Sequence, residues 1–346
     1  MAHIEATAAQ GEGSVAGAIP DPPPLPLTER ILGALPGPRA AWVVAWALVA
    51  LLRLGFLLLI VNATGIVVET RESLDTALGQ AVLSYVILVT LIGTTILVRG
   101  VHDLNPVLES IAPSRPTASW FWRMTSVAGP LALTAVGVAA SLPSTLAEFG
   151  VQVAIVDVFT LGAVLLPITT FVWAYAMLLL GLDRLGRAEL QLDDFPQDRA
   201  LGLWRLGSVA MTGFWVLVVG VTPVLIFAGR DLTTVGTSVT ILSVVVGLFV
   251  LSMYRLHGQM RAAKARYVAM THGLVADAYA PVRTSTDLAT LQENKPALDA
   301  AQALAERAEK LLEWPIDERM VAWMTVVVTG VATSLVVRFV LAAVGA

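Results

Sequence analysis

The sequence predicts an all-α, polytopic membrane protein of seven transmembrane helices, and three observations carry that reading. Hydrophobic residues make up 56% of the 346 positions and charged residues 14%, and mean hydropathy is +0.76, more apolar surface than a water-soluble fold of this size can bury. The apolar residues gather into runs of about 20, the helical length that spans a hydrocarbon core. Finally, the basic residues fall almost entirely on alternate connections between those runs, as the positive-inside rule requires.

The spans are read at 40–61, 78–98, 124–142, 156–180, 206–228, 235–256 and 321–344. Of 22 lysines and arginines, 18 lie on the side that holds residues 1–39 and the connections after spans two, four and six. Only Arg71 and Arg230 lie on the other side, while Arg53 and Arg338 fall within spans. The amino terminus is therefore expected in the cytoplasm and the carboxyl terminus outside, in the inner (cell) membrane. Trp42, Trp120, Trp122, Trp204, Trp314 and Trp323 fall at the expected cytoplasmic ends, where an indole sits well at headgroup depth.

Residues 1–39 are rich in Gly, Pro and acids, include "PDPPPLP" and lack a signal-peptide pattern, so they read as a disordered cytoplasmic tail. Residues 40–256 form the six-helix bundle, 257–320 a cytoplasmic helical hairpin, and 321–346 the seventh span. In the hairpin, Leu256, Met260, Ala263, Tyr267, Met270 and Leu274 recur in steps of four and three, a coiled-coil seam. Pro281 is expected to end that helix, Ser285 or Thr286 to cap the next, and Leu291, Leu298, Ala305 and Leu312 to repeat along it up to "EWPID". Such a hairpin either joins subunits or packs on itself, and offers a surface to a cytoplasmic protein partner.

Polar residues inside the spans are the candidate functional positions. Arg53 and Asp157 stand at similar depth in spans one and four, so Arg53 either snorkels outward to the headgroups or pairs with Asp157. Three stripes of small and hydroxylated residues follow helical spacing: Thr134 and Ser141 with Pro130 and Gly137; Thr240 and Ser243 with Gly236 and Gly247; and Thr325, Thr329 and Thr333. Such faces either let helices approach closely or line a path. Arg338, near the end of span seven, either anchors at the headgroups or biases an outer vestibule toward anions. Pro130, Pro167 and Pro223 fall within spans and permit kinks.

Several chemistries have no foothold. Without cysteine there is no disulfide, thiolate site or cysteine nucleophile. No glycine-rich phosphate loop and no nucleic-acid motif occurs. Four histidines are present, and only His102, Asp103 and His257 fall at a common depth where a metal enzyme site could form. The sequence is read as that of a non-enzyme without cofactor or bound metal, partnered by lipid and by further copies of itself.

The architecture of seven spans, an interior amino terminus, a long interior helical connection before span seven and almost nothing after it resembles the insect chemoreceptor superfamily. That resemblance implies a multimeric cation channel with the last helix lining the pore. It is one of topology. The family's Thr-Tyr…Gln-Phe signature is not matched in "TGVATSLVVRF", which lacks the tyrosine and the glutamine, so no residue role carries over. The function expected is an oligomeric channel or ligand-gated pore with the final helix near the axis; the alternative is a sensor or scaffold that signals to a cytoplasmic partner.

Overall fold

In the computed structural model the described residues are 25–53, 55, 59, 70–111, 121–188, 190, 192, 199–227, 232–284, 288–316 and ten positions between 322 and 340. They form helices and no strands. In chain order these are α1 (Leu27–Ala34), α2 (Arg39–Arg53), α3 (Thr70–His102), α4 (Asn105–Ile111), α5 (Ala128–Ala147), α6 (Ala154–Leu185), α7 (Trp204–Phe227), α8 (Leu232–Thr284) and α9 (Leu288–Glu309). Among the described residues, stretches in α3, α5, α6 and α7 are long and apolar enough to cross a membrane, and the bent pair α1–α2 taken as one broken span makes five. The segments expected at 235–256 and 321–344 are helical wherever they are described. Phe159, 74% exposed, and Val136, Val151 and Leu251, all about two-thirds exposed, need lipid or another apolar surface around them.

Helical geometry runs without a break from Ala128 to Leu185, yet the chain reverses within it. Thr134 touches Thr169, Thr145 touches Asp157, and a Cβ on Gly137 would stand 2.8 Å from Leu165. In each pair the residue numbers sum to 302 or 303, the mark of an antiparallel hairpin centred near residue 151. Pro130, expected mid-membrane, lies in the first turn of α5, where a missing N–H leaves no bond unmade.

The main core lies where α3, α6, α7 and α8 meet, around Leu97, Phe171, Tyr175, Leu178, Phe214 and Phe249. Glycines bring α3 and α7 together and α7 onto α6. A Cβ on Gly93 would overlap Val216, one on Gly100 would stand 2.8 Å from Val209, and one on Gly213 would stand 2.5 Å from the Tyr175 ring. In lipid, where burying apolar surface drives little, such close approach supplies the dispersion energy that holds helices together.

Part of the expected tail is folded. Leu27–Ala34 forms α1, with Thr28, Glu29 and Leu32 buried. Composition hid it because proline, which signals disorder in bulk, here begins a helix: Pro26 is the N-cap, and Glu29 in the first turn suits the helix dipole. The chain then turns through 117° into α2 over "LPGP". Gly37 takes φ +105°, a left-handed conformation that favours glycine, and the Trp42 indole donates to the Pro36 carbonyl at 2.7 Å. Residues 1–24 lie outside the described residues.

Helix α8 has 53 residues, about 80 Å at 1.5 Å per residue, against a hydrocarbon core of about 30 Å. Its far half therefore projects from the bundle, and α9 packs back along it. The seam departs from the strict heptad. Leu256, Met260 and Ala263 are buried, but beyond Tyr267 the inward positions are Thr271, Val275 and Ala278, whereas Met270 and Leu274 are exposed. A straight helix of 3.6 residues per turn drifts away from a 3.5 repeat by about 20° per heptad, which brings the neighbouring position inward. Pro281 does not stop the helix, which continues to Thr284, and Pro296 lies inside α9.

Candidate functional site

Two polar centres stand out, one at each end of the bundle. At the end remote from the arginine-rich connections, Arg53 of α2 donates from Nε to Asp157 Oδ1 of α6 at 2.9 Å, with Nη2 on the same oxygen. The side chains are 17% and 8% exposed. The Thr145 hydroxyl donates to the other carboxylate oxygen at 3.2 Å, so Asp157 joins three helices. The contact is positioned from below by Trp46, whose indole donates to the Ala163 carbonyl at 2.8 Å. From Trp46 to Arg53 is two turns of α2, and from Ala163 back to Asp157 nearly two turns of α6, so the tryptophan sets the register at which the ions meet.

The three hydroxyl stripes lie in different surroundings where they are described. Thr134 faces Thr169 at 2.7 Å and returns its own bond to the Pro130 carbonyl, while Ser141 bonds the Val138 carbonyl; this stripe packs α5 on α6. Thr240 and Ser243 on α8 are exposed. Thr325, Thr329 and Thr333 are helical and exposed, as is each described neighbour in that segment. Arg338 lies outside the described residues.

At the arginine-rich end, residues 311–316 dock under the bundle. Leu311 and Ile316 enter the main core. The Leu312 amide donates to the Arg199 carbonyl at 2.8 Å. His257 Nδ1 lies 2.7 Å from the Glu313 carbonyl, and the His257 ring stacks on Trp314 with centroids 4.2 Å apart. Lys264 pairs with the Glu313 carboxylate at 3.5 Å. A Cβ on Gly207 would overlap the Pro315 carbonyl, so only glycine lets that backbone approach α7. Alongside, Gln259 donates to the carbonyls of Gly186 and Ala188, both at 2.7 Å, and Asp183 binds Arg255 at 3.2 Å as well as Arg187.

This brace is what sequence reasoning missed. "EWPID" read as a helix stop, and its one further signal was the Trp-Pro pair, an aromatic with no helix to belong to. The brace engages His257 with Glu313 and Trp314, and among the described residues no three His, Asp or Glu side chains come together in a way that could hold a metal. His102 and Asp103 therefore do not join His257 in such a group.

An all-helical bundle of long apolar helices, with an ion pair enclosed at one end and a braced hairpin at the other, defines a polytopic membrane protein. No known family profile, curated protein or solved structure matches the chain.

Proposed function

We propose that the chain is the subunit of an oligomeric membrane channel whose final helix lies near a shared axis. The observation that supports this is the exposed face carrying Thr325, Thr329 and Thr333. Hydroxyls along one face of an apolar helix suit a wetted path better than they suit lipid, and a single chain leaves that face uncovered. The brace supports a gate of the same kind: residues 311–316 are held to α7 and α8 only a few residues before the last helix begins, so a displacement of the hairpin reaches it directly. Reconstituted protein is expected to give liposome flux that is lost in Thr329→Leu or Thr333→Leu, with a mass in nanodiscs of more than one copy. A strictly monomeric mass without flux overturns the proposal and favours the second reading. That reading is a sensor or scaffold which passes a signal to a cytoplasmic partner, and the projecting α8–α9 hairpin supports it.

A further inference from the structure

Between α1 and the half of α3 that carries Arg99 lies a cavity of about 150 Å³, apart from both centres described above. At about 30 Å³ per water-sized volume it admits a group of about five non-hydrogen atoms. Leu32, Val43 and Leu91 wall it, and the polar residues of its mainly apolar lining are Thr28, Glu29 and Thr95. Ile92 and Ile96, which complete the lining, are each 48% exposed on the outer surface of α3, so the cavity opens sideways, toward lipid.

The polar atoms inside are unevenly satisfied. Thr28 is 1% exposed and its hydroxyl has no hydrogen-bond partner. Glu29 is 8% exposed and its ion pair with Arg39 spans 3.9 Å, beyond hydrogen-bond length. Thr95 donates to the Leu91 carbonyl at 3.1 Å, which leaves its lone pairs free to accept. Glu29 thus brings a carboxylate with no close hydrogen bond, and Thr28 a buried hydroxyl with no partner, to a small apolar space, and a buried polar group left unmatched is costly. The complementary group is small, positively charged and rich in N–H: a primary ammonium. Arg39, largely exposed and beside Glu29, places a positive charge outside the acid. Acid within, base without and a lateral opening match a headgroup whose ammonium enters first and whose phosphate stays behind.

We propose that this cavity binds the aminoethyl headgroup of a zwitterionic phospholipid, with the ammonium on Glu29 and Thr28 and the phosphate on Arg39. A trimethylammonium headgroup offers no N–H and is bulkier, so it is excluded.

Full-length protein in detergent is titrated with short-chain phosphatidylethanolamine, short-chain phosphatidylcholine and free ethanolamine, and followed by native mass spectrometry. Phosphatidylethanolamine is expected to bind at least tenfold more tightly than either of the others. Glu29→Gln, of the same shape, removes that preference, and Val43→Phe, which fills the cavity from its apolar wall, removes it independently. Arg39→Gln weakens the phospholipid and leaves free ethanolamine unchanged. Equal binding of the two phospholipids, or undiminished binding by Glu29→Gln, overturns the site. Ethanolamine as tight as phosphatidylethanolamine overturns the lipid as its occupant in favour of a soluble amine.

Discussion

Replacing Asp157 by alanine tests the enclosed ion pair most directly. The change removes the acceptor of two Arg53 N–H groups and of the Thr145 hydroxyl. Breaking a buried pair from one side costs about 3–5 kcal/mol, because the remaining charge is left uncompensated. Arg53 retains 17% exposure near an end of the bundle and can extend toward water, which puts the expected loss at the lower end, about 3 kcal/mol. At about 1.4 kcal/mol per factor of ten, that is more than a hundredfold in the folding equilibrium. Thr145→Val should cost only about 0.6 kcal/mol, the average for interhelical hydrogen bonds in membranes. The decisive comparison is Arg53→Met with Asp157→Leu. With both charges gone nothing is left unpaired, and the double variant is expected within about 1 kcal/mol of the parent. Reversible unfolding in mixed micelles, followed by circular dichroism, reads all four proteins, and the charge swap Arg53→Asp with Asp157→Arg should recover part of the loss. An Asp157→Ala cost under about 0.5 kcal/mol, or a double variant whose cost is simply the sum of Arg53→Met and Asp157→Leu measured singly, would refute the coupling argument.

Two further outcomes are expected. Gly207→Val drives a branched side chain into the Pro315 carbonyl; overpacking of this kind costs about 1–3 kcal/mol, and residues 311–316 should become sensitive to protease while the bundle keeps its helicity. Because the chain has no cysteine, single cysteines report topology cleanly: Lys264→Cys should react with an impermeant maleimide only after cells are opened, and Ala346→Cys in intact cells. The reverse pattern would overturn the orientation drawn from arginine placement.

What could be read from the sequence follows the reach of the forces concerned. Helix existence was legible because twenty apolar residues in a row leave the backbone no other way to satisfy its N–H and C=O groups in lipid. The partnership of Arg53 with Asp157 was legible only in part: charges at one depth in an apolar medium are few, so the choice of partner is narrow, but whether Arg53 pairs or snorkels depends on helix packing that no local pattern states. The seam of α8 was legible for its first four members and then failed at Thr271, since a one-residue drift depends on whether the pair supercoils, which no local pattern states. Least legible were contacts made by backbone. Nothing in "RLGSV" says that Gly207 receives the carbonyl of Pro315, more than a hundred residues away, because the determinant is the absence of a side chain.

The same asymmetry bears on mechanism. The ion pair ties α2, α5 and α6 by charge, at the cost of tolerating no rearrangement that separates Arg53 from Asp157. The brace ties residues 311–316 to α7 and α8 by one stacked ring pair, the partly exposed Lys264–Glu313 pair, a few single hydrogen bonds, a glycine contact and the burial of Leu311 and Ile316, each separately modest. If the molecule moves between states, the bonds that give way should be those at the brace, where stacking is worth about 0.5–1.5 kcal/mol, rather than those at the ion pair, where separation costs several. Helices α2, α5 and α6 are then the fixed frame, and the long α8 with its docked return segment is the part free to shift against it.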